Sequence, residues 1–192
     1  MARPKGFETE KALEKAMHLF RQKGYEATSM QEMVLCTGLS CSSLYNIFGE
    51  KHALFLAARE FYMTRSRVLL AEVISQPLPR LEIVRVILTK MVDDIVTGNE
   101  SSCFMVDAAT EKADHDEEVA LLIRGQYAWS QETFRQLFAE AQRNGEIRPE
   151  RDPEAIARFI INVIQGMRVT GKVNQRRQAF EDVVNTTMEA LL

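Results

Sequence analysis

The sequence lacks most of the features that mark secreted, membrane and metal-binding proteins. Its three cysteines, Cys36, Cys41 and Cys103, form neither a Cys-x-x-Cys pair nor an even set for disulfide bonds. No apolar run approaches the roughly 20 residues that a membrane-spanning helix needs, and the N-terminal residues MARPKGFETEK contain no apolar signal-peptide core. We therefore expect a cytoplasmic protein whose thiols are reduced.

An excess of positive charge is also missing. The chain carries 24 Lys and Arg against 27 Asp and Glu, a net charge of −3. Any affinity for nucleic acid must therefore come from the placement of a few cations and not from bulk charge.

Signatures of catalysis and of cofactor binding are absent as well. His18, His52 and His115 do not form the Glu-x-x-His or His-x-x-x-His pairs of zinc sites. The sequence contains no phosphate-binding Gly loop and no Gly-x-Ser-x-Gly elbow. We expect no metal, no cofactor and no catalytic residue.

Helical spacing of apolar residues recurs along almost the whole chain, and no stretch alternates like a strand. The sequence predicts an all-α protein of about nine helices. A three-helix head, residues 1–50, would bind DNA, and a six-helix body, residues 51–192, would bind an effector and dimerise. The first predicted helices run approximately over 9–23, from the Ser29 cap to the Gly38 turn, from the Ser40 cap to Phe48, and over 51–75 and 80–97. A short helix follows from Ser101 or Ser102 to about 113, and a long one from the acidic cluster 114–118 to 143. The last two helices are predicted from the apolar stripe at 153–171 and from the apolar positions Phe180, Val183, Val184 and Leu191.

The segment from Ser29 to Lys51 carries the most specific pattern. Ser29 followed by Glu32 is a capping box that opens a helix, Gly38 marks a turn, and Ser40 caps the next helix. Two short helices joined by such a turn indicate a helix-turn-helix, which places its second helix in the major groove of DNA.

Several polar groups of this head are candidates for DNA contact. The Asn46 amide can pair bidentately with adenine, and the Tyr45 hydroxyl can bind a phosphate. Lys51, at the start of the fourth helix, can bind a phosphate together with the helix amides. Arg3 and Lys5 lie in a terminal arm of the kind that enters the minor groove, although two basic residues at a terminus equally serve solubility. The full set is Arg3, Lys5, Thr28, Ser29, Ser40, Cys41, Ser42, Ser43, Tyr45, Asn46 and Lys51.

Residues 7–62 resemble the DNA-binding domain of the TetR family of transcriptional regulators. The resemblance rests on the run ALEKAMHLFRQKGYEATSMQEM, the turn GLS, and the segments LYNIFGEK and HALFLAAREFY. It extends more loosely through SSCFMVDAATEKA and DPEAIARFIINVIQGMRV. Many members carry a basic residue or proline near Cys41 or Ser42 and an aromatic residue or His at Asn46. The third helix of this chain has no Lys or Arg, so its operator cannot be inferred from relatives.

The resemblance implies a homodimer whose last two helices form a four-helix bundle with those of the partner. The apolar stripe that begins at Pro153 suits such an interface, although the same stripe could form internal core. Two heads would then lie one DNA turn apart, about 34 Å, on a pseudo-palindrome. The candidate interface residues are Phe159, Val163, Gly166, Met167, Val183 and Val184.

The resemblance also implies that a ligand bound in the body spreads the heads and releases DNA. An apolar effector is the default expectation, although aromatic residues and Met at helical spacing are more often core. Cys103, near a predicted helix start, is either a thiol that senses electrophiles or a small buried residue, and oxidation of Cys41 could disturb the DNA contact directly. The candidate pocket residues are Tyr62, Met91, Cys103, Phe104, Arg124, Tyr127 and Asn162.

Together these patterns and the resemblance imply a dimeric one-component transcriptional regulator, a repressor released by a small-molecule or thiol-modifying effector. Its partners would be an operator in double-stranded DNA, a second copy of the chain and the effector. One alternative is an architectural DNA-binding protein without an effector. The other is a small all-α enzyme with a vestigial head.

Overall fold

A computed structural model describes residues 5–98 and 104–192, with side chains from residue 9 onward in the first range. These residues form helices and no strand, which confirms the all-α prediction. None of the helices described is long and apolar enough to cross a membrane. The helices are α1 (Lys5–Lys23), α2 (Met30–Thr37), α3 (Cys41–Phe48), α4 (Lys51–Ile74), α5 (Arg80–Thr97), α6 (Phe104–Lys112), α7 (Glu117–Arg143), α8 (Pro153–Gly171) and α9 (Arg177–Leu191).

The contacts between residues divide the chain into two compact units. The first comprises residues 1–68 and 104–120, and the second comprises residues 69–103 and 121–192. The first unit therefore contains α6 and much of α4 in addition to the three helices of the predicted head. The domain boundary at residue 50 refers to function, whereas these units refer to packing, and that boundary stays a prediction.

Capping residues at its two ends determine where the short helix α2 begins and ends. The Ser29 hydroxyl accepts a hydrogen bond from the Glu32 N–H (3.2 Å), and the Glu32 carboxylate accepts one from the Ser29 N–H (2.8 Å). This geometry confirms the predicted capping box. Gly38 then ends α2 with a φ of +76°, a left-handed conformation that glycine adopts without steric cost.

The first helix begins earlier than the sequence pattern predicts. We expected a start near Thr9, but α1 begins at Lys5. The apolar spacing that predicted the helix starts only at Leu13, so the residues before it gave no clear signal, although their backbone belongs to the same helix. The backbone of Lys5 is therefore helical and not part of an extended arm, and Arg3 lies outside the described residues.

The second unit has its own hydrophobic core, built from α5, α8, α9 and most of α7. Fully buried apolar side chains from each of these helices meet there, including Leu88, Phe138, Ile160 and Phe180. The start of α8 follows the predicted signal, because Asp152 caps the helix and Pro153 occupies its first turn.

One carboxylate joins the loop after α7 to the start of α5. The Glu146 side chain accepts hydrogen bonds from the N–H groups of Arg80 (3.0 Å) and Leu81 (2.8 Å). Burial by itself raises the pKa of Glu146, but these two bonds and the one from Asn144 outweigh it and lower the pKa below its usual value. Pro79 offers no side chain for a cap, so Glu146 supplies the cap from 66 residues away.

We expect Glu146→Gln to lower the free energy of unfolding by about 1 kcal/mol at pH 7, because it weakens a charged helix cap. A lowered pKa in the folded state stabilises the protein above the ordinary Glu pKa of 4.5, and this gain is lost as the pH falls through the folded value. Urea unfolding of both proteins should therefore show a difference that shrinks below pH 4.5. The exposed Glu150→Gln is the control, and a difference independent of pH would contradict the assignment.

Candidate DNA-binding site

The exposed side of α3 is uncharged and rich in small polar groups. Leu44 is completely buried in the first unit, which fixes the rotation of the helix about its axis. Cys41, Ser42 and Asn46 are exposed, and Tyr45 is 46% exposed. A helix turned this way can present an amide, hydroxyls and a phenol to base edges and phosphates.

Three serine hydroxyls are joined at the N-terminus of α3. The Ser40 Oγ accepts a hydrogen bond from the Ser43 N–H (3.1 Å) and lies 3.0 Å from the Ser42 Oγ and 2.8 Å from the Ser43 Oγ. Ser40 therefore caps the helix as predicted. Each hydroxyl also retains lone pairs or a proton for a partner outside the chain.

The two candidates at the start of α2 differ from each other. Thr28 is only 1% exposed, and its hydroxyl donates to the Gly24 carbonyl at 2.7 Å, which removes its side chain from the exposed surface. The sequence pattern missed this bond because it crosses the turn before the helix. Ser29 is exposed but already engaged in the capping box, so its hydroxyl orients α2.

Lys51 is directed toward an aromatic ring of the head. Its Nζ lies 4.3 Å from the centroid of the Tyr25 ring and donates to the Glu26 carbonyl at 3.5 Å. A cation over an aromatic face gains about 0.5–1 kcal/mol at a partly exposed site. A DNA phosphate that binds Lys51 would therefore either draw its ammonium away from the Tyr25 ring or bind it while it stays over the ring.

The same ring receives a second cation from α6. The Lys112 Nζ lies 4.2 Å from the Tyr25 centroid and 2.6 Å from a Glu26 carboxylate oxygen. The Tyr25 N–H donates to the Glu111 carboxylate at 3.0 Å. We call these five residues, Tyr25, Glu26, Lys51, Glu111 and Lys112, the Tyr25 junction, because they join the turn after α1 to the start of α4 and the end of α6.

Gly24 belongs beside this junction for a steric reason. Its φ is +81°, and a Cβ on it would lie 2.3 Å from the Glu111 Oε1. The pKa of Glu26 is lowered, first of all by its hydrogen bond from Lys112. The ion pair between Lys112 and Glu26 thus joins the α1–α2 turn to the end of α6.

A histidine and a carboxylate make a further contact next to the junction. The His52 Nε2 lies 2.7 Å from the Asp116 carboxylate, while the His52 Nδ1 lies 3.9 Å from that of Glu118. Burial raises the pKa of Asp116, but hydrogen bonds from the Val119 N–H and from His52 lower it overall. The start of α4 is thus joined to the segment between α6 and α7.

Two predicted pocket residues meet inside the first unit. The rings of Tyr62 and Phe104 are buried with centroids 5.9 Å apart, and Phe55 lies 5.4 Å from Phe104. The Arg59 side chain is 1% exposed, with its guanidinium carbon 5.8 Å from the Phe104 centroid. Sequence reasoning missed this buried cation, because an arginine inside an apolar stripe carries no signal of its surroundings.

The remaining pocket candidates are not gathered in one place. Met91 is buried in the core of the second unit, whereas Arg124, Tyr127 and Asn162 are exposed there. The Asn162 amide donates to the Arg158 carbonyl at 2.8 Å, and Cys103 lies outside the described residues. The second unit also has a surface groove of about 330 Å³ without any of these residues, lined by Leu81, Glu82, Arg85, Asn185, Met188, Glu189 and Leu192.

The candidate dimer residues fall into two classes. Phe159 is 44% exposed, Val183 is 39% exposed, and a Cβ on Gly166 would meet no neighbouring atom. Val163 is half-buried beside the core. Met167 and Val184 are buried in the core of their own unit, so they can support an interface but do not present a surface to it.

Family models match both parts of the chain. Residues 12–58 match the model described as bacterial regulatory proteins, tetR family. Residues 77–187, more than half of the chain, match the tetracyclin repressor-like C-terminal domain. The chain belongs to the TetR family. This confirms the resemblance inferred from the sequence and makes the protein a member of a family of transcriptional regulators.

Individual TetR-family proteins match along almost the whole chain. The HTH-type transcriptional repressor ComR of Escherichia coli is 29% identical over 97% of this chain and 90% of its own length. YezE of Bacillus subtilis, an HTH-type transcriptional regulator, is 28% identical over the full length of both chains. The solved structure of the TetR-family regulator CifR, complexed with a 26-base-pair operator, superposes with a TM-score of 0.87 at 26% identity, covering 99% of this chain and 100% of the CifR chain.

We expect the loss of Tyr25 and the loss of Tyr45 to change the stability of the protein by different amounts. Tyr25→Ala should lower the free energy of unfolding by about 2–3 kcal/mol, because it removes a ring packed on Phe55 at 4.8 Å and held between the junction residues. Tyr45→Ala, on the exposed side of α3, should change it by no more than about 0.5 kcal/mol. Chemical denaturation of both variants measures this, and a loss of no more than about 0.5 kcal/mol for Tyr25→Ala would show that the junction does not stabilise the head.

Proposed function

We propose that this TetR-family protein is a dimeric one-component repressor that binds a pseudo-palindromic operator in the cytoplasm. An effector, a small molecule or a reagent that modifies a thiol, would release it from DNA. The observation that carries the proposal is the uncharged, exposed side of α3 within a helix-turn-helix whose two helices are both capped. The side chains proposed for base contact are Ser42, Tyr45 and Asn46.

The name of one relative supports repression rather than activation of transcription. ComR is named as an HTH-type transcriptional repressor, and CifR was solved on operator DNA. A dimer bound to an operator represses transcription when that operator overlaps DNA needed by the transcription machinery. We infer the same role for this chain.

Dimerisation is supported by apolar side chains that α8 and α9 leave exposed. Phe159 and Val183 present such surface, and Gly166 permits the close approach of a facing helix. Two copies related by a two-fold axis would place two α3 helices in successive major grooves on one side of the DNA.

Release by an effector requires two conformations that the effector binds unequally. Of the residues predicted to contact an effector, we propose Tyr62 and Phe104, whose rings meet within the first unit. The Tyr25 junction supports the release step, because any displacement of Glu111 and Lys112 at the end of α6 would act on the turn that precedes α2. We propose that the long α4, which begins at the junction residue Lys51, transmits the displacement to the head.

Asn46→Ala should weaken binding to the operator by about 1–3 kcal/mol for each half-site, because an amide that pairs with a base is lost. Operator DNA can be obtained by selection from random duplexes, and affinity can be measured by fluorescence anisotropy at a stated salt concentration. Binding to non-specific DNA should not change.

The matched control for this experiment is Gln175→Ala, which removes an exposed amide from the second unit. It should bind the operator as the unaltered protein does. Equal affinity of the Asn46 variant and the control would show that α3 does not make the proposed contact.

Lys51→Met tests whether the ammonium contacts phosphate or serves the junction alone. Each phosphate contact adds about 0.9 to the slope of log Kobs against log salt. A dimer that loses two such contacts should show a slope shallower by about 2. Lys90→Met, an exposed lysine of the second unit, is the control, and an unchanged slope for Lys51→Met would assign Lys51 to the junction only.

A further inference from the structure

The uncharged character of α3 restricts which bases it can recognise. From Ser40 to Gly49 the chain contains no Lys, Arg, Asp or Glu. Guanine in the major groove is recognised most often by Arg or Lys, and cytosine by a carboxylate. The contacts that α3 can make with uncharged groups are an amide pairing with adenine, hydroxyl bonds of low selectivity and apolar contact with a methyl group.

Ile47 is an exposed apolar side chain on α3 that the sequence analysis did not count as a DNA contact. It follows the buried Leu44 by three residues, a spacing that normally indicates an inward position. In the structure it is nevertheless 47% exposed, while Leu44 is fully buried. About half of an isoleucine is therefore left in water on the helix that is proposed to enter the major groove.

Ile47 lies at the side of α3, about 60° around the helix axis from the buried Leu44 and about 100° from Asn46. Successive residues of a helix are rotated by about 100°, so Ser42 and Asn46 lie opposite Leu44. Ile47 is adjacent to Asn46 in sequence and lies one turn beyond Ser43, on the border of this outward strip.

Thymine offers the one apolar group among the base edges of the major groove, its C5-methyl. We propose that Ile47 packs against the C5-methyl of a thymine in each operator half-site and that, together with Asn46, it makes α3 select A·T pairs. This inference rests on the proposed function, and it names a specificity determinant that the sequence analysis did not single out.

The experiment replaces each thymine of the selected operator in turn by deoxyuridine, which keeps base pairing and removes only the methyl group. Burying one methyl is worth about 0.8 kcal/mol, or about fourfold in affinity. We expect one position in each half-site to weaken binding about fourfold, and the doubly substituted palindrome to weaken it by roughly 16-fold. Ile47→Ala should bind the thymine and the deoxyuridine operators equally.

Two further variants separate this contact from general effects. Leu35→Ala removes an 81% exposed apolar side chain from α2 and should keep the full response to deoxyuridine. Ile47→Val keeps part of the side chain and should keep part of the response. Circular dichroism checks that each variant is helical.

Tight, sequence-specific binding with no response to deoxyuridine at any position would overturn the inference and leave the proposed function intact. An unchanged response in Ile47→Ala would overturn it as well. Absence of sequence-specific binding by the unaltered protein to any selected DNA would overturn the proposed function itself, and this inference with it.

Discussion

The burial of Leu44 is the constraint on which the proposed site depends. An eight-residue helix is not stable alone in water, because the entropy cost of the first turn exceeds the gain from so few hydrogen bonds. The α3 helix persists because Leu44 is removed from solvent and because Ser40 and Gly49 complete its two ends. The same burial sets its rotation, and that rotation decides which side chains remain outside.

The exposed surface that results is unusual for a DNA-binding helix, because it carries no cation. Phosphate affinity must then come from groups at its borders, and Lys51 is the nearest ammonium that the sequence places there. The structure gives Lys51 a second role, since its Nζ lies over the Tyr25 ring that also receives Lys112. A side chain proposed to hold DNA is thereby part of the contact between the head and α6.

Much of this architecture could be predicted from the sequence, because its signals are local. Ser29 with Glu32, Gly38, Ser40 and Pro153 act within one turn of the chain, and the helices begin and end where these residues indicate. The Tyr25 junction could not be predicted, since Glu111 lies 86 residues from Tyr25 and its pairing exists only in the folded chain. Apolar spacing likewise did not distinguish the buried Met167 and Val184 from the exposed Phe159, or reveal that Ile47 faces solvent.

The central claim is that α3 recognises the operator with uncharged side chains, and operator selection with Asn46→Arg tests it most directly. An arginine at this position offers the bidentate geometry that guanine prefers. The selected sequence should change from A·T to G·C at one pair of symmetry-related positions and stay the same elsewhere. A selected sequence identical to that of the unaltered protein would contradict the claim that α3 contacts the bases.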